Sequence, residues 1–224
     1  MRPLVAVRPP EYWPRPLFVA LMDAADRMVL ADTFLYSRQS RQNRTLVRSP
    51  SGGQWLSIPL AAGGQGRSIR EIEIRGPERW IRKHWRAFAY NYRTTPFFEF
   101  YEPELAPFFE REWDCLGALT CASVQKVAEL FGIETPLVRA SEVAGAPSTV
   151  PDIHALTGGV FLSAADTEEA DRRLTRVGAV VHLGELRYRQ NFEGFFPEMS
   201  ALDLLFNYGP EALPMIRRGV DVKR

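Results

Sequence analysis

Lysine and cysteine are both scarce in these 224 residues. The only lysines are Lys83, Lys126 and Lys223, so almost all of the positive charge is arginine. That bias can reflect high-GC coding as readily as function. Lysine plus arginine (28) nearly equals aspartate plus glutamate (27), for a net charge of +1. Such a balance gives no overall field to attract nucleic acid or an anionic membrane, so any anion recognition has to be local. The two cysteines, Cys115 and Cys121, fall on a segment that reads as helix, about 9 Å apart along the axis and on different faces. They are not placed to bridge, and they lack the Cys-x-x-Cys spacing of a metal or redox motif. Three histidines at scattered positions exclude a recognisable zinc motif. No run approaches the roughly 20 apolar residues of a membrane span. The opening MRPLVAVRPPEYWPRP has too short an apolar run and too many prolines for a signal peptide. The expectation is a soluble, cytoplasmic protein. Neither a Gly-x-Ser-x-Gly elbow nor a Gly-Lys-Ser/Thr phosphate loop occurs, which removes the simplest hydrolase and NTPase readings.

Apolar residues are plentiful, at 46%, enough to bury a sizeable core. The length and the lack of a linker fit a single domain spanning residues 1–224. PLVAV (3–7) predicts a strand, Leu17–Arg27 a short helix, and MVLADTFLY (28–36) a second strand; together they have the length of a βαβ unit with parallel strands. QWLSIPL and SIREIEIR, around the glycine-rich AAGGQGR, predict a β-hairpin. Gly63, Gly64 and Gly66 are either its mobile tip or a phosphate cradle. Helical patterns dominate residues 77–132: one helix from Pro77 to the residues before Pro96, one or two short helices interrupted by Pro103 and Pro107, and a long helix closed by Gly132. Alternation then resumes, with strands at TPLVRASEV, GVFLSA and AVVHLGELRYRQ, and short helices at VPDIHAL, TEEADRRLTRVG and SALDLLFNYG. The fold class is therefore α/β: a mainly parallel sheet flanked by helices, with a β-hairpin and a helical insert.

The segment Tyr36–Pro59 concentrates Arg38, Arg41, Arg44 and Arg48 among amides and hydroxyls. Guanidinium groups match phosphate and carboxylate two bonds at a time, so Arg41 and Arg44 are candidate anion ligands, with Gln42 and Asn43 to orient them. The alternative is a solvated loop. In a parallel sheet, ligands sit outside the carboxyl ends of the strands, which brings Arg8, Tyr12, Asp32 and the Tyr188-Gln190-Asn191 cluster to the same rim. Asp32 can bind a hydroxyl, ammonium group or magnesium ion, or cap a turn. His84 can act as acid or base, or be a buried imidazole between Trp80 and Phe88. Asp203 fits the first turn of a helix after Ser200. The aromatics from Phe88 to Phe109 suit stacking on a sugar or base, but helix packing accounts for most of them. No residue pattern singles out a cofactor or an oligomeric state.

The order VRPPEYWP, ADTFLYSRQSRQNR, QWLSIP, KHWRAFAYNYRTTPFF, LFGIETPLVRASEV and FEGFFPEMSALDLLFNYGPE resembles the WbqC-like family along almost the full length. The resemblance implies a bacterial setting in O-antigen, surface-sugar or specialised-metabolite biosynthesis. Acyl or aminoacyl transfer to an amine of a sugar-nucleotide or metabolite is the implied activity, and its partner would be a small anionic molecule rather than nucleic acid or membrane. A divergent, non-catalytic binding protein is the alternative. In the transfer reading, Arg41 and Arg44 would clamp the anion, and Asp32 or His84 would accept the proton. The family usually opens with His-Gln-Pro-x-Tyr-x-Pro-Trp, where this chain reads Arg8, Pro9, Pro10, Glu11, Tyr12, Trp13, Pro14 and Arg15. A serine- and glycine-rich turn is usual after the strand matching GVFLS, where this chain has Ser163-Ala164-Ala165-Asp166. The early strand, loop, helix, strand order is also like the nucleotide-binding half of adenylyl-transferring synthetases, a likeness of topology only.

Overall fold

The computed structural model describes residues 2–223. Five short apolar strands, β1 (Leu4–Arg8), β2 (Arg27–Leu30), β5 (Leu137–Arg139), β6 (Val160–Ala164) and β7 (Val177–Leu183), pair in parallel. An antiparallel edge strand, β8 (Val220–Lys223), completes a sheet of order β5-β2-β1-β6-β7-β8. The chain fills one half outward from β1, returns to the other side of β1 as β6, and continues outward. The direction of progression therefore reverses between β1 and β6, where the loops leaving the two strands diverge and open a crevice.

The inner strands β1, β2 and β6 are buried on both faces, which is why they read as continuous apolar runs rather than as alternating ones. On one face Ala6, Met28, Leu30 and Leu162 pack into the main core with α1 (Pro16–Ala24) and α4 (Leu116–Phe131). On the other, Val7, Val29 and Phe161 pack with Val150 and Ile153 of α5 (Val150–Thr157). α6 (Glu168–Leu174) links β6 to β7. α1 starts on a proline, whose fixed φ suits a first helical residue, and α4 ends on Gly132 at φ 68°.

The expected α/β class holds, with several differences of detail. β2 ends at Leu30, not Tyr36: the chain turns at Asp32, whose carboxylate takes the Ser141 backbone NH at 2.9 Å and the Ser141 hydroxyl at 2.6 Å. The hairpin is displaced. β3 (Arg44–Ser49) pairs with β4 (Gly52–Ser57), so half of the arginine-rich segment is strand, whereas SIREIEIR contributes a 3₁₀ turn (Ile69–Glu71) and isolated bridges. Gly52, at φ 117°, makes that tight turn possible, a signal hidden behind the arginines. α2 (Pro77–Tyr92) is as expected, but Phe98–Glu110 forms one uninterrupted helix, α3, with Pro103 and Pro107 inside it. The prolines lie four residues apart on the solvent face, where water can satisfy the freed carbonyls. Tyr101, Leu105, Phe108 and Phe109 bury the opposite face. After α7 (Ala201–Tyr208), the chain adds α8 (Ala212–Gly219) and β8, neither of which the sequence patterns announce. Among the described residues no helix is long and apolar enough to cross a membrane. Both cysteines are free.

Candidate functional site

At the carboxyl end of β1, Arg8 is 8% exposed and grips the turn after β6. Its Nη1 donates to Asp166 Oδ1 at 2.9 Å and to Thr167 Oγ1 at 2.8 Å, and its Nη2 to Asp166 Oδ2 at 3.2 Å. Arg15, at the start of α1, donates to the same Asp166 carboxylate at 2.7 Å and to Glu11 at 3.1 Å. Its other terminal nitrogen reaches Glu198 at 3.1 Å, and Glu198 also accepts from Arg41 at 3.1 Å. Three guanidinium groups and three carboxylates thus form one network across the crevice. Burial opposes the charge on Arg15, but Glu11, Asp166 and Glu198 together hold its pKa above the ordinary value. Arg41 is the reverse: burial lowers its pKa, Arg15 and Arg44 lower it further, and Glu11 and Glu198 do not make up the difference. Asp166 resists burial through Arg8 and Arg15 and stays below the usual carboxylate range.

From Arg41 the site continues over Trp55, a half-exposed indole on β4. The Arg44 guanidinium carbon stands 4.4 Å from the centre of that ring and Arg41's 5.3 Å. Arg44 also donates to the Gln39 carbonyl. Beyond it lies an open groove of about 820 Å³, walled on one side by Arg38, Gln39, Asn43 and Arg44 and on the other by Ala62, Gly63 and Gly64. Among the described residues, neither Arg38 nor Arg44 has a carboxylate partner. Gln42 is turned inward, accepting the Ser37 backbone NH at 3.0 Å, and Asn43 donates to the Ile58 carbonyl at 3.3 Å, so both amides shape the segment. Tyr36, on the groove wall, has its pKa raised by burial against the pull of Arg38 and Arg44.

The other sequence candidates sit elsewhere. Tyr12 and His84 are buried partners, the phenol donating to His84 Nδ1 at 3.0 Å, with Trp80 edge-on to the imidazole. Burial pushes His84 down to about 4, against a hydrogen bond with the Ser57 backbone, so the ring is neutral near pH 7. Asp32 is committed to Ser141. Tyr188 donates to Asp203 at 2.6 Å, as does Gln190 at 3.1 Å, and Asn191 donates to the Asn91 carbonyl. Arg48, 1% exposed, is held by Gln190 Oε1 and by the carbonyls of Ser49, Gly52 and Glu193. Burial raises the Asp203 pKa, with Tyr188, Tyr92 and Gln190 opposing. The structure therefore brings Arg8, Arg41 and Arg44 into one continuous surface. It groups Tyr188, Gln190 and Asn191 with Asp203, Asn91 and Arg48, and leaves Asp32 and His84 each with its own partner. Sequence reading left out Glu11, Arg15, Trp55, Asp166 and Glu198. Arg15 and Asp166 carried a signal, as departures from the pattern expected at their positions.

The fold and this rim define an α/β protein with a doubly wound sheet and an arginine-lined crevice at the reversal of strand order. The chain belongs to the WbqC-like protein family, whose sequence model matches residues 9–215. It is 28% identical to the uncharacterized protein Rv1507c of Mycobacterium tuberculosis over 225 aligned positions, covering 95% of this chain and 97% of that one. No solved structure matches it significantly.

Proposed function

We propose that this protein binds a small anionic metabolite, of the sugar-nucleotide or similarly phosphorylated kind, in the groove between Arg38 and Arg44 and the loop at Gly63 and Gly64. The observation that carries this reading is the absence, among the described residues, of any carboxylate on those two arginines, when Arg8, Arg15 and Arg41 nearby are all paired. An uncompensated pair of guanidiniums beside a glycine-containing loop gains most from a phosphate. Trp55, already faced by Arg44, supports a flat or sugar-like body at the groove's edge.

A cytoplasmic biosynthetic role in acyl or aminoacyl transfer to an amine is the reaction class that the family setting suggests, within a single domain. Binding is favoured over turnover in this chain, because both proton-acceptor candidates are occupied: Asp32 by two bonds from Ser141, His84 by Tyr12 and its burial. The test is calorimetric titration with a nucleoside-diphosphate sugar, the neutral sugar alone and inorganic phosphate. The phosphorylated sugar should bind, the neutral sugar should not, and Arg44→Ala should weaken binding on the order of tenfold to a hundredfold, the range for a charged hydrogen bond, with the fold intact. Equal binding by a folded Arg44→Ala variant removes the groove from the site.

A further inference from the structure

A second cavity, of about 260 Å³, opens between the start of α1 and the chain after β7. Leu17, Leu183, Leu186, Phe195, Phe196 and Met199 form the apolar part of its wall. Phe196 is 41% exposed, a large side chain left partly uncovered. Two acidic residues also line it. Glu185 is paired with Arg187 at 2.7 Å. Glu198 is the carboxylate that Arg15 and Arg41 both hold, and it does so from a left-handed backbone, φ 63°, which a glutamate adopts only when its surroundings impose it.

Two guanidiniums converging on one carboxylate beside an apolar cavity are what a bound amphipathic carboxylate would show, with the protein's own side chain in the place of the head group. The charges agree. With Glu198 in place, Arg8, Arg15 and Arg41 face Glu11, Asp166 and Glu198 and the network is neutral. When Glu198, whose side chain is 56% exposed, turns to water, three positive groups face two negative ones and a monoanion restores the balance. Arg41 has the most to gain, since its present partners do not offset its burial.

We infer that this cavity binds a small amphipathic monoanion, a carboxylate on an aliphatic or aromatic body, with the body between Leu186 and Phe196 and the carboxylate displacing Glu198 from Arg41 and Arg15. At about 30 Å³ for each water-sized group, the volume suits roughly eight non-hydrogen atoms. The inference is independent of the polar groove, which shares none of these wall residues.

The experiment is calorimetric titration of the full chain with octanoate, with octan-1-ol as the same tail without charge and inorganic phosphate as an anion without a tail. Octanoate should bind at least tenfold more tightly than octan-1-ol, and phosphate should not compete with it. Glu198→Gln should tighten octanoate binding severalfold, because the neutral amide no longer competes for the arginines. Leu186→Trp, which fills the cavity, should abolish it; should that variant not fold, Arg41→Gln provides the same test through the head group. Arg44→Ala, which leaves both arginines of Glu198 in place, should change octanoate binding far less than Arg41→Gln does, separating this site from the groove. Octan-1-ol binding as tightly as octanoate, no octanoate binding at millimolar concentration, or weaker binding by Glu198→Gln each overturns the proposal.

Discussion

Arg8 and Asp166 face each other across the reversal point of the sheet in a two-bond pair, at 2.9 and 3.2 Å, with Arg15 on the same carboxylate at 2.7 Å. All three stand where the family resemblance led to the expectation of another residue: a histidine at Arg8, a tryptophan at Arg15 and a serine- and glycine-rich turn at Asp166. Together they form one ion network at the crevice edge. Arg8→His and Asp166→Gly should each destabilise the fold. Combined, they should cost less than the sum by about 1–3 kcal/mol, because each single change leaves the other charge with fewer partners, while removing both leaves neither. A double-mutant cycle by urea denaturation measures this, and strict additivity would mean that the pair is energetically idle.

Acid should reveal His84. Its pKa falls from 6.5 to about 4 on folding, mainly through burial, so the folded state disfavours the proton that the unfolded chain accepts. This contribution to stability is therefore complete above pH 6.5 and is lost as pH falls toward 4. With each tenfold change in proton affinity worth about 1.4 kcal/mol, it amounts to about 3 kcal/mol. His84→Phe should flatten the stability curve between pH 6.5 and 4, while above pH 7 it loses the Tyr12 hydrogen bond. A sag of the same depth in that variant would assign the acid sensitivity to the carboxylates.

Much of the architecture was legible because apolar runs of four or five residues between turn-forming residues have few readings other than buried parallel strands. β1, β6 and β7 and the helices from Pro77 to Gly132 follow from that periodicity. The misplaced hairpin shows the limit. Arg44, Arg48 and Gln54 mask strand alternation whose inner face is Thr45, Val47 and Leu56, because the opposite face carries charge for other reasons. Likewise Pro103 and Pro107 read as breaks, since nothing local says that both point to water. At the site, Arg41 and Arg44 were recognisable by type, but Glu198 and Asp166 join them from 157 and 158 residues away in contacts with Arg41 and Arg8. Asp166 was marked only as an unexpected residue in its turn, and the Glu198 pairing leaves no local trace.

Gly117 should oppose the usual rule for helices. Replacing a helical glycine by alanine ordinarily stabilises by about 1 kcal/mol. Here a Cβ would stand 2.7 Å from the Arg70 Cα and 3.0 Å from its nitrogen, where the 3₁₀ turn crosses α4, and backbone cannot step aside as a side chain can. Gly117→Ala should therefore destabilise by about 1–3 kcal/mol, the range for overpacking. Thermal unfolding checks it, and a higher melting temperature would show that the turn yields.

Arg44 and Arg48 stand four residues apart on one face of β3 and should behave as opposites. Arg48 is sealed between the hairpin and the chain after β7, its donors spent on Gln190, Ser49, Gly52 and Glu193 and its guanidinium 4.7 Å from the centre of the Phe196 ring. Arg48→Met removes a buried charge and takes a donor from the carbonyls of Ser49, Gly52 and Glu193 and from Gln190 Oε1, of which Gly52 keeps the Ser49 hydroxyl and Gln190 the Phe196 NH, at a cost of about 2–4 kcal/mol. Arg44 gives the fold one carbonyl bond and the Trp55 contact at a partly open site, so Arg44→Ala should cost no more than about 1 kcal/mol. Denaturation of both variants, beside titration of the Arg44 variant with the phosphorylated sugar, separates the two roles. A large loss of stability in Arg44→Ala would make this arginine part of the scaffold, as Arg48 is, and leave Arg38 alone to hold an anion.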